Sequence, residues 1–254
     1  MNSSVNYQQA GKQKLAPAHR FKNWLKQSDS AAAIKLKSMY YGVRFFSLPL
    51  PRALSRALFY CHQSVVNCYH WLSRSFYYTP LFKSQTQRCG QKLYLYGGMP
   101  YICGPLALEL GSHCRISGAS TFSARSCAGV RPHLSIGDNV DVGWQTTIAV
   151  GTSVTLGNNV RIAGQCFLAG YAGHPIDARE RALGLPEHEH QAREIALEQD
   201  VWLGTGVTVL AGVRIGAGSI VAAGSVVHKS LPAGVIAAGN PATIIKKIGE
   251  RDEQ

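Results

Sequence analysis

Apolar positions along this chain recur at a fixed spacing. From residue 195 onward aliphatic residues return every sixth position, at Leu197, Leu203, Val209, Ile215, Val221 and Val227, without a slip. Four residues after five of these stands a small or β-branched residue: Val201, Val207, Val213, Ser219 and Ser225. Upstream the same spacing recurs at Ile136, Val142 and Ile148, at Val150, Leu156, Ile162 and Leu168, and more roughly at Leu110, Ile116 and Phe122. A period of six fits neither the 3.6 of a helix nor a simple strand alternation, so the chain must turn every sixth residue. Gly137-Asp138-Asn139 and Gly157-Asn158-Asn159 supply corners that tolerate positive φ. The prediction is a solenoid of short extended segments. Each inward aliphatic stacks on its equivalent one coil away and contributes about 1.5 to 3 kcal/mol by burial.

Three segments depart from the period. Leu54, Leu58, Cys61, Val65, Cys68 or Tyr69, Leu72 and Phe76 recur at three- and four-residue intervals, which predicts a helix after Pro51. A weaker amphipathic stretch covers Arg20 to Phe46, with Lys22, Lys26, Lys35 and Lys37 on its polar side. That is the composition of a helix lying on an anionic membrane surface; packing on the solenoid or on another helix is the alternative. Residues 169–194 carry many charges and must leave the solenoid as a loop, and loops of that length are usually functional. Asn240 and Pro241 suit N-cap and N1, so 241–248 are expected to form a short terminal helix. The chain divides into a basic helical extension (1–90, its first 18 or so residues expected to be disordered), the solenoid (91–240), and a C-terminal helix and tail (241–254).

Charge follows the same division. The formal excess of +12 suggests a nucleic-acid binder, but residues 1–90 hold thirteen Lys/Arg against one acid, Asp29, while 91–254 hold thirteen of each. The aromatics among the basic residues, Trp24, Tyr40, Tyr41, Phe45 and Phe46, suit an amphipathic helix as well as a base-stacking platform, and no nucleic-acid partner is expected. No run of 18 apolar residues and no secretory pattern occurs, so the expected location is cytoplasmic, with peripheral contact at the inner face of the membrane through the basic helices. Seven cysteines without a Cys-x-x-Cys pair fit free thiols in a reducing compartment. Cys114 and Cys166 occupy the small inward slot of the repeat and are expected in the core.

The six-residue grammar resembles the hexapeptide-repeat family, which implies a mainly β fold: a left-handed parallel β-helix with three hexads per coil. Three further segments narrow the resemblance: Gly-His-Pro-Ile-Asp in the loop, Val-Trp-Leu-Gly-Thr-Gly at 201–206, and Leu-Pro-Ala-Gly-Val-Ile-Ala-Ala-Gly-Asn-Pro-Ala at 231–242. In that order they look like the galactoside and maltose O-acetyltransferase branch. The resemblance implies acetyl transfer from acetyl-CoA, the acyl-donor co-substrate, to a hydroxyl of a saccharide or glycolipid intermediate, without a metal. It also implies a homotrimer with CoA in the groove between subunits.

The residues have physical reasons for those roles. An alcohol is a poor nucleophile until its proton is removed, and the loop imidazole of His174 is the candidate general base. Its orienting partner is left open between Asp177 and a backbone carbonyl. The resemblance places the main chain of Thr205, after Gly204, against the thioester, where a backbone N–H can meet developing oxyanion charge. It places Trp202 as a wall of the cleft, Ala223 along the pantetheine, and His228, Lys229 and Lys246 at the far end of CoA, with Thr243 where a second basic residue is usual. On the acceptor side the branch has an Asn within the segment aligned with 142–150, and this chain has none there; Trp144, Gln145 and Asp177 are the substrate-side candidates. The acceptor is therefore expected to differ from a simple galactoside.

Other classes of protein fit the residues less well. A zinc enzyme would need three converging histidines, and His113, His133 and His228 lack regular spacing, while His188-x-His190 sits in the loop. A serine O-acetyltransferase-like enzyme shares helices followed by a solenoid, but the Gly-His-Pro-Ile-Asp loop fits it less well. A non-enzymatic trimeric scaffold presenting its basic arm to a membrane is the remaining class.

Overall fold

The structure is a computed structural model that describes residues 16–127 and 129–249. It divides into two compact units, Met1–His62 and Gln63–Gln254.

Helix α1 (Pro17–Gln27), with proline at its start, is followed by α2 (Ala31–Arg44). Ser30 caps α2 by accepting from the Ala33 N–H at 3.3 Å. Helix α3 (Arg52–Ser73) runs through the boundary at His62 and carries no buried residue. A π turn at Arg74–Tyr78 and the short α4 (Thr79–Ser84) follow. The expected disorder over the first 18 residues lies outside the described residues except at its end, where Pro17 and Ala18 already belong to α1.

The second unit is the solenoid. Three sheets run along it, each made of equivalent strands from successive coils, and every strand-to-strand step between coils is parallel, as a left-handed β-helix requires. Sheet A holds Arg88–Cys89, Ala107–Leu110, His133–Ile136, Ser153–Leu156, Ile195–Leu197 and Arg214–Ile215. Sheet B holds Tyr94–Tyr96, Arg115–Ser117, Asp141–Val142, Arg161–Ile162, Trp202–Leu203, Ile220–Val221, Val235–Gly239 and Ala242–Lys247. Sheet C holds Tyr101–Cys103, Thr121–Ala124, Thr147–Val150, Phe167–Ala169, Thr208–Leu210 and Val226–Val227.

The register explains where the six-residue pattern slips. Val209 pairs with Val227, 18 residues on, which is three clean hexads. Ile148 pairs with Leu168 after 20 residues, Phe122 with Ile148 after 26, and Leu168 with Val209 after 41. All the extra residues in these coils leave at one edge, between sheets C and A, so the other two edges keep their period. Leu110, Ile116, Phe122, Ile148, Leu168 and Leu203 are all at least 98 % buried, and Cys114 and Cys166 lie in the core with them. The edge between sheets A and B is held by a ladder across coils: Asn139 Nδ2 donates to Asn159 Oδ1, and Asn159 Nδ2 to Asp200 Oδ1, both at 2.8 Å. These three residues adopt positive φ of 56°, 60° and 62°, which Asn and Asp tolerate because their short side chains bond locally. Phe82 of α4 is fully buried among the first coils and closes that end of the core.

The far end corrects the expected C-terminal helix. Ala242–Lys247 is a strand, antiparallel to Val235–Gly239, with Asn240-Pro241 at the turn. The last coil leaves an unpaired edge on sheet B, and the returning strand supplies its hydrogen-bond partners, which outweighs the local preference for a helix. Lys246 accordingly lies on a strand opposite Ile236. The tail beyond 249 is outside the described residues.

Candidate active site

The loop leaves sheet C after Ala169 and returns to sheet A at Ile195. It contains a five-residue helix, α5 (Ala178–Ala182), and a single turn at Glu189–Gln191. Asp177 caps α5, its Oδ1 accepting from the N–H groups of Arg179 and Glu180 at 2.9 and 3.0 Å. Its carboxylate makes no hydrogen bond to His174, so this candidate orienting partner serves the loop's backbone.

His174 is exposed in a cleft of about 380 Å³ beside Tyr171, Ser126, Cys127, Arg181 and Leu185. The loop around it is pinned by side chains the sequence did not single out. Gln191 Nε2 donates to the carbonyl of His174 at 3.1 Å, and Arg181 donates to the carbonyls of Pro175, at 2.9 Å, and Ile176. From the shorter insertion after Ala124, Arg125 reaches under the loop with its side chain 3 % exposed. Its Nε lies 2.6 Å from Glu187 Oε1, its Nη1 donates to Glu189 Oε2 at 2.7 Å, and its Nη2 donates to the Glu187 carbonyl at 3.3 Å. The Arg125 hydrogen bond holds the Glu189 carboxyl below the usual carboxylate range, and the same bond pushes the Arg125 guanidinium up against the cost of its burial. The available signal was a lone charge, Arg125, at the point where the period slips by eight residues, opposite an acid-rich loop.

The other predicted residues fall elsewhere. Trp144 and Gln145, Gly164 and Gln165, Gly204 and Thr205, and Ala223 are successive members of the edge between sheets B and C. The Trp144 indole lies over Gly164, where a Cβ would stand 2.6 Å from the ring. Gln145 accepts from Gln165 Nε2 at 3.2 Å, one coil on. At Gly204 a Cβ would stand 2.6 Å from the Ala223 amide nitrogen, so the close approach of two coils requires glycine there. Among the described residues the Thr205 N–H donates to no protein acceptor, while its carbonyl accepts from Gly224. Trp202 projects outward from sheet B, half exposed, between Arg161 and Ile220. His228 and Lys229 follow Val227 onto the edge between sheets C and A, the same edge as the loop, and both are exposed.

The residues lining the His174 cleft therefore do not include Thr205, the candidate oxyanion donor. From Thr205 the chain crosses sheet C to reach the loop-bearing edge, roughly 15 Å of extended backbone, whereas proton transfer and oxyanion binding need atoms about 3 Å apart.

Residues 196–229 match the model of the bacterial transferase hexapeptide (six repeats), and residues 133–168 match that of the hexapeptide repeat of succinyl-transferase. Among curated proteins, YJL218W of Saccharomyces cerevisiae, named as a candidate acetyltransferase, is 42% identical over 81 residues, covering 32% of this chain and 39% of its own. A similarly named protein of Dictyostelium discoideum, DDB_G0275913, is 48% identical over 82 residues, covering 32% of this chain and 41% of its own. The matched part thus spans about two fifths of each relative. Among solved structures, a mutant of AntD, an N-acyltransferase from Bacillus cereus in complex with dTDP and Coenzyme A, superposes with a TM-score of 0.54 at 18% identity, covering 68% of this chain and 89% of that one. At this identity the likeness is one of fold.

Proposed function

We propose that the chain is an acyltransferase of the hexapeptide-repeat class, whose models match residues 133–168 and 196–229, and that it moves an acetyl group from acetyl-CoA to a hydroxyl of a saccharide or glycan acceptor. The named acyltransferase relatives and the AntD complex with Coenzyme A support the donor class. The observation that carries the reading is His174, exposed in a cleft on a loop whose backbone is pinned at His174 and at the two residues that follow it. Such a base is positioned before the substrate arrives.

In this reading the His174 imidazole takes the acceptor's hydroxyl proton as the oxygen bonds to the thioester carbonyl carbon. The charge that develops on the carbonyl oxygen meets the Thr205 N–H. The carbon–sulfur bond then breaks, and the CoA sulfur leaves with the proton from the imidazolium, which restores the base. Because one chain keeps these groups on different edges, the site joins the loop of one subunit to the B–C edge of its neighbour, in a cyclic homotrimer. Trp202 walls that groove and Ala223 leaves room along it. His228, Lys229 and Lys246 meet the far end of CoA, Lys246 from the terminal strand. Trp144 and Gln145 offer an aromatic face and an amide to a sugar. Gln145 in place of an Asn favours an acceptor other than a simple galactoside.

Thiol release from acetyl-CoA, followed across a panel of sugars, glycolipid intermediates and serine, tests the proposal. At least one saccharide should accelerate release, and His174→Ala should lower that rate by about 10²- to 10⁴-fold while the protein keeps its melting temperature. Unchanged release in the variant would remove the mechanism. Serine as the only acceptor would move the protein to the small-molecule branch, and no release with any acceptor would favour the scaffold.

A further inference from the structure

The first unit carries a surface that the acyl-transfer reading does not use. Between α1 and α2 lies a cavity of about 740 Å³ lined by Phe21, Leu25, Tyr40 and Tyr41 together with Lys22, Lys26, Lys37 and Arg44. Four cations therefore surround an aromatic cavity that no acidic side chain lines. Lys37 Nζ is occupied with the helix-end carbonyls of Lys26 and Ser28, at 3.3 and 3.2 Å, which ties α2 to the end of α1. Arg44 donates to the Tyr40 hydroxyl at 3.1 Å and lies over the rings of Tyr40 and Phe45. Lys22 and Lys26 form no ion pair among the described residues.

Beside this cationic cavity is an exposed apolar rim. Met39, Val43, Phe45, Phe46 and Leu48 are each 60 % to 79 % exposed. Exposed aliphatic and aromatic clusters of this kind mark interaction surfaces. Aliphatics next to lysines suit acyl chains beneath phosphate headgroups, whereas a single-stranded nucleic acid would use the rings and leave Met39, Val43 and Leu48 without a role. No helix among the described residues is long and apolar enough to cross a membrane. An occupant that matches both the charge and the rim is the face of a bilayer.

We infer that α1, α2 and the segment after them dock on an anionic phospholipid surface, the Lys22, Lys26 and Arg44 cluster meeting the headgroup phosphates while Phe45, Phe46 and Leu48 enter the interface. This inference is independent of the acyl-transfer proposal, and its test does not use activity.

The full chain is sedimented with vesicles of phosphatidylcholine alone and of phosphatidylcholine containing phosphatidylglycerol, at low and high salt. Strong binding to the anionic vesicles, weak binding to the neutral ones, and loss at high salt are expected. With each cation near such a surface contributing about 1 kcal/mol, the triple variant Lys22→Gln, Lys26→Gln, Arg44→Gln should lower the partition coefficient roughly 100-fold. Phe45→Ser with Phe46→Ser should weaken binding with the charge intact. If circular dichroism shows that the triple variant has lost helix, the Phe45 and Phe46 variant decides alone. Equal binding to neutral and anionic vesicles, undiminished binding by these variants, or displacement by millimolar inorganic phosphate would overturn the inference. So would single-stranded DNA that competes as well as the anionic vesicles do.

Discussion

Arg125 illustrates how single residues hold the candidate site. Its guanidinium is taken out of water and compensated by two carboxylates and a carbonyl of the loop that carries His174. Arg125→Met leaves Glu187, itself 6 % exposed, without its ion-pair partner, and should cost roughly 3 to 5 kcal/mol in urea unfolding or speed cleavage of the loop in limited proteolysis. Adding Glu187→Leu should restore most of that loss, because a buried pair replaced by apolar side chains is often neutral. The pH response follows from Glu189. Its folded pKa lies below its unfolded value, so its contribution is fully present above the ordinary carboxylate range and is lost as pH falls through the lower folded value. Glu189→Gln should flatten the acid limb of a stability profile in that window. Burial pushes the thiols of Cys114 and Cys166 up, so a thiol reagent should label exposed Cys61, Cys68 and Cys127 in the folded chain and reach Cys114 and Cys166 only on unfolding. Those two cysteines were legible from the repeat, since the inward slot is a fixed offset from each aliphatic. Arg125 was not, because its partners lie more than 60 residues away and only the folded insertions bring them together.

At the scale of elements, the solenoid's edges divide the work. The A–B edge keeps a strict period, the B–C edge departs from it by one residue in the first coil between Leu95 and Ile102, and the C–A edge takes every longer insertion. Gly204 shows how tightly the regular edges pack: Gly204→Ala drives a Cβ to 2.6 Å from the backbone of the next coil and should destabilise the chain by about 1 to 3 kcal/mol in denaturant unfolding. The one element the local sequence misassigned is Ala242–Lys247. Asn240-Pro241 is as good a turn as a helix start, and Thr243, Ile244 and Ile245 are β-branched, so local preference was balanced. The open edge of sheet B decided it.

Across the whole molecule, the separation of His174 from Thr205 predicts complementation between subunits. His174→Ala and Gly204→Ala are each expected to be inactive in thiol release. Unfolded and refolded together in equal amounts, they should recover about a quarter of the normal activity, because a cyclic assembly then pairs an intact loop with an intact neighbouring edge at about that fraction of its sites. No recovery from a mixture that reassembles fully would place both groups in one subunit and overturn the shared site.

The sequence by itself determined the solenoid, its inward positions, the place of its main loop and the division of charge between arm and coil. These are properties of local period and composition, which the chain carries in any conformation. Tertiary structure decided the terminal strand, the Arg125 clamp, Asp177 as a cap, and the distribution of the candidate residues over two edges. Each depends on which backbone groups remain unpaired, or which charges are buried together, once distant coils are stacked.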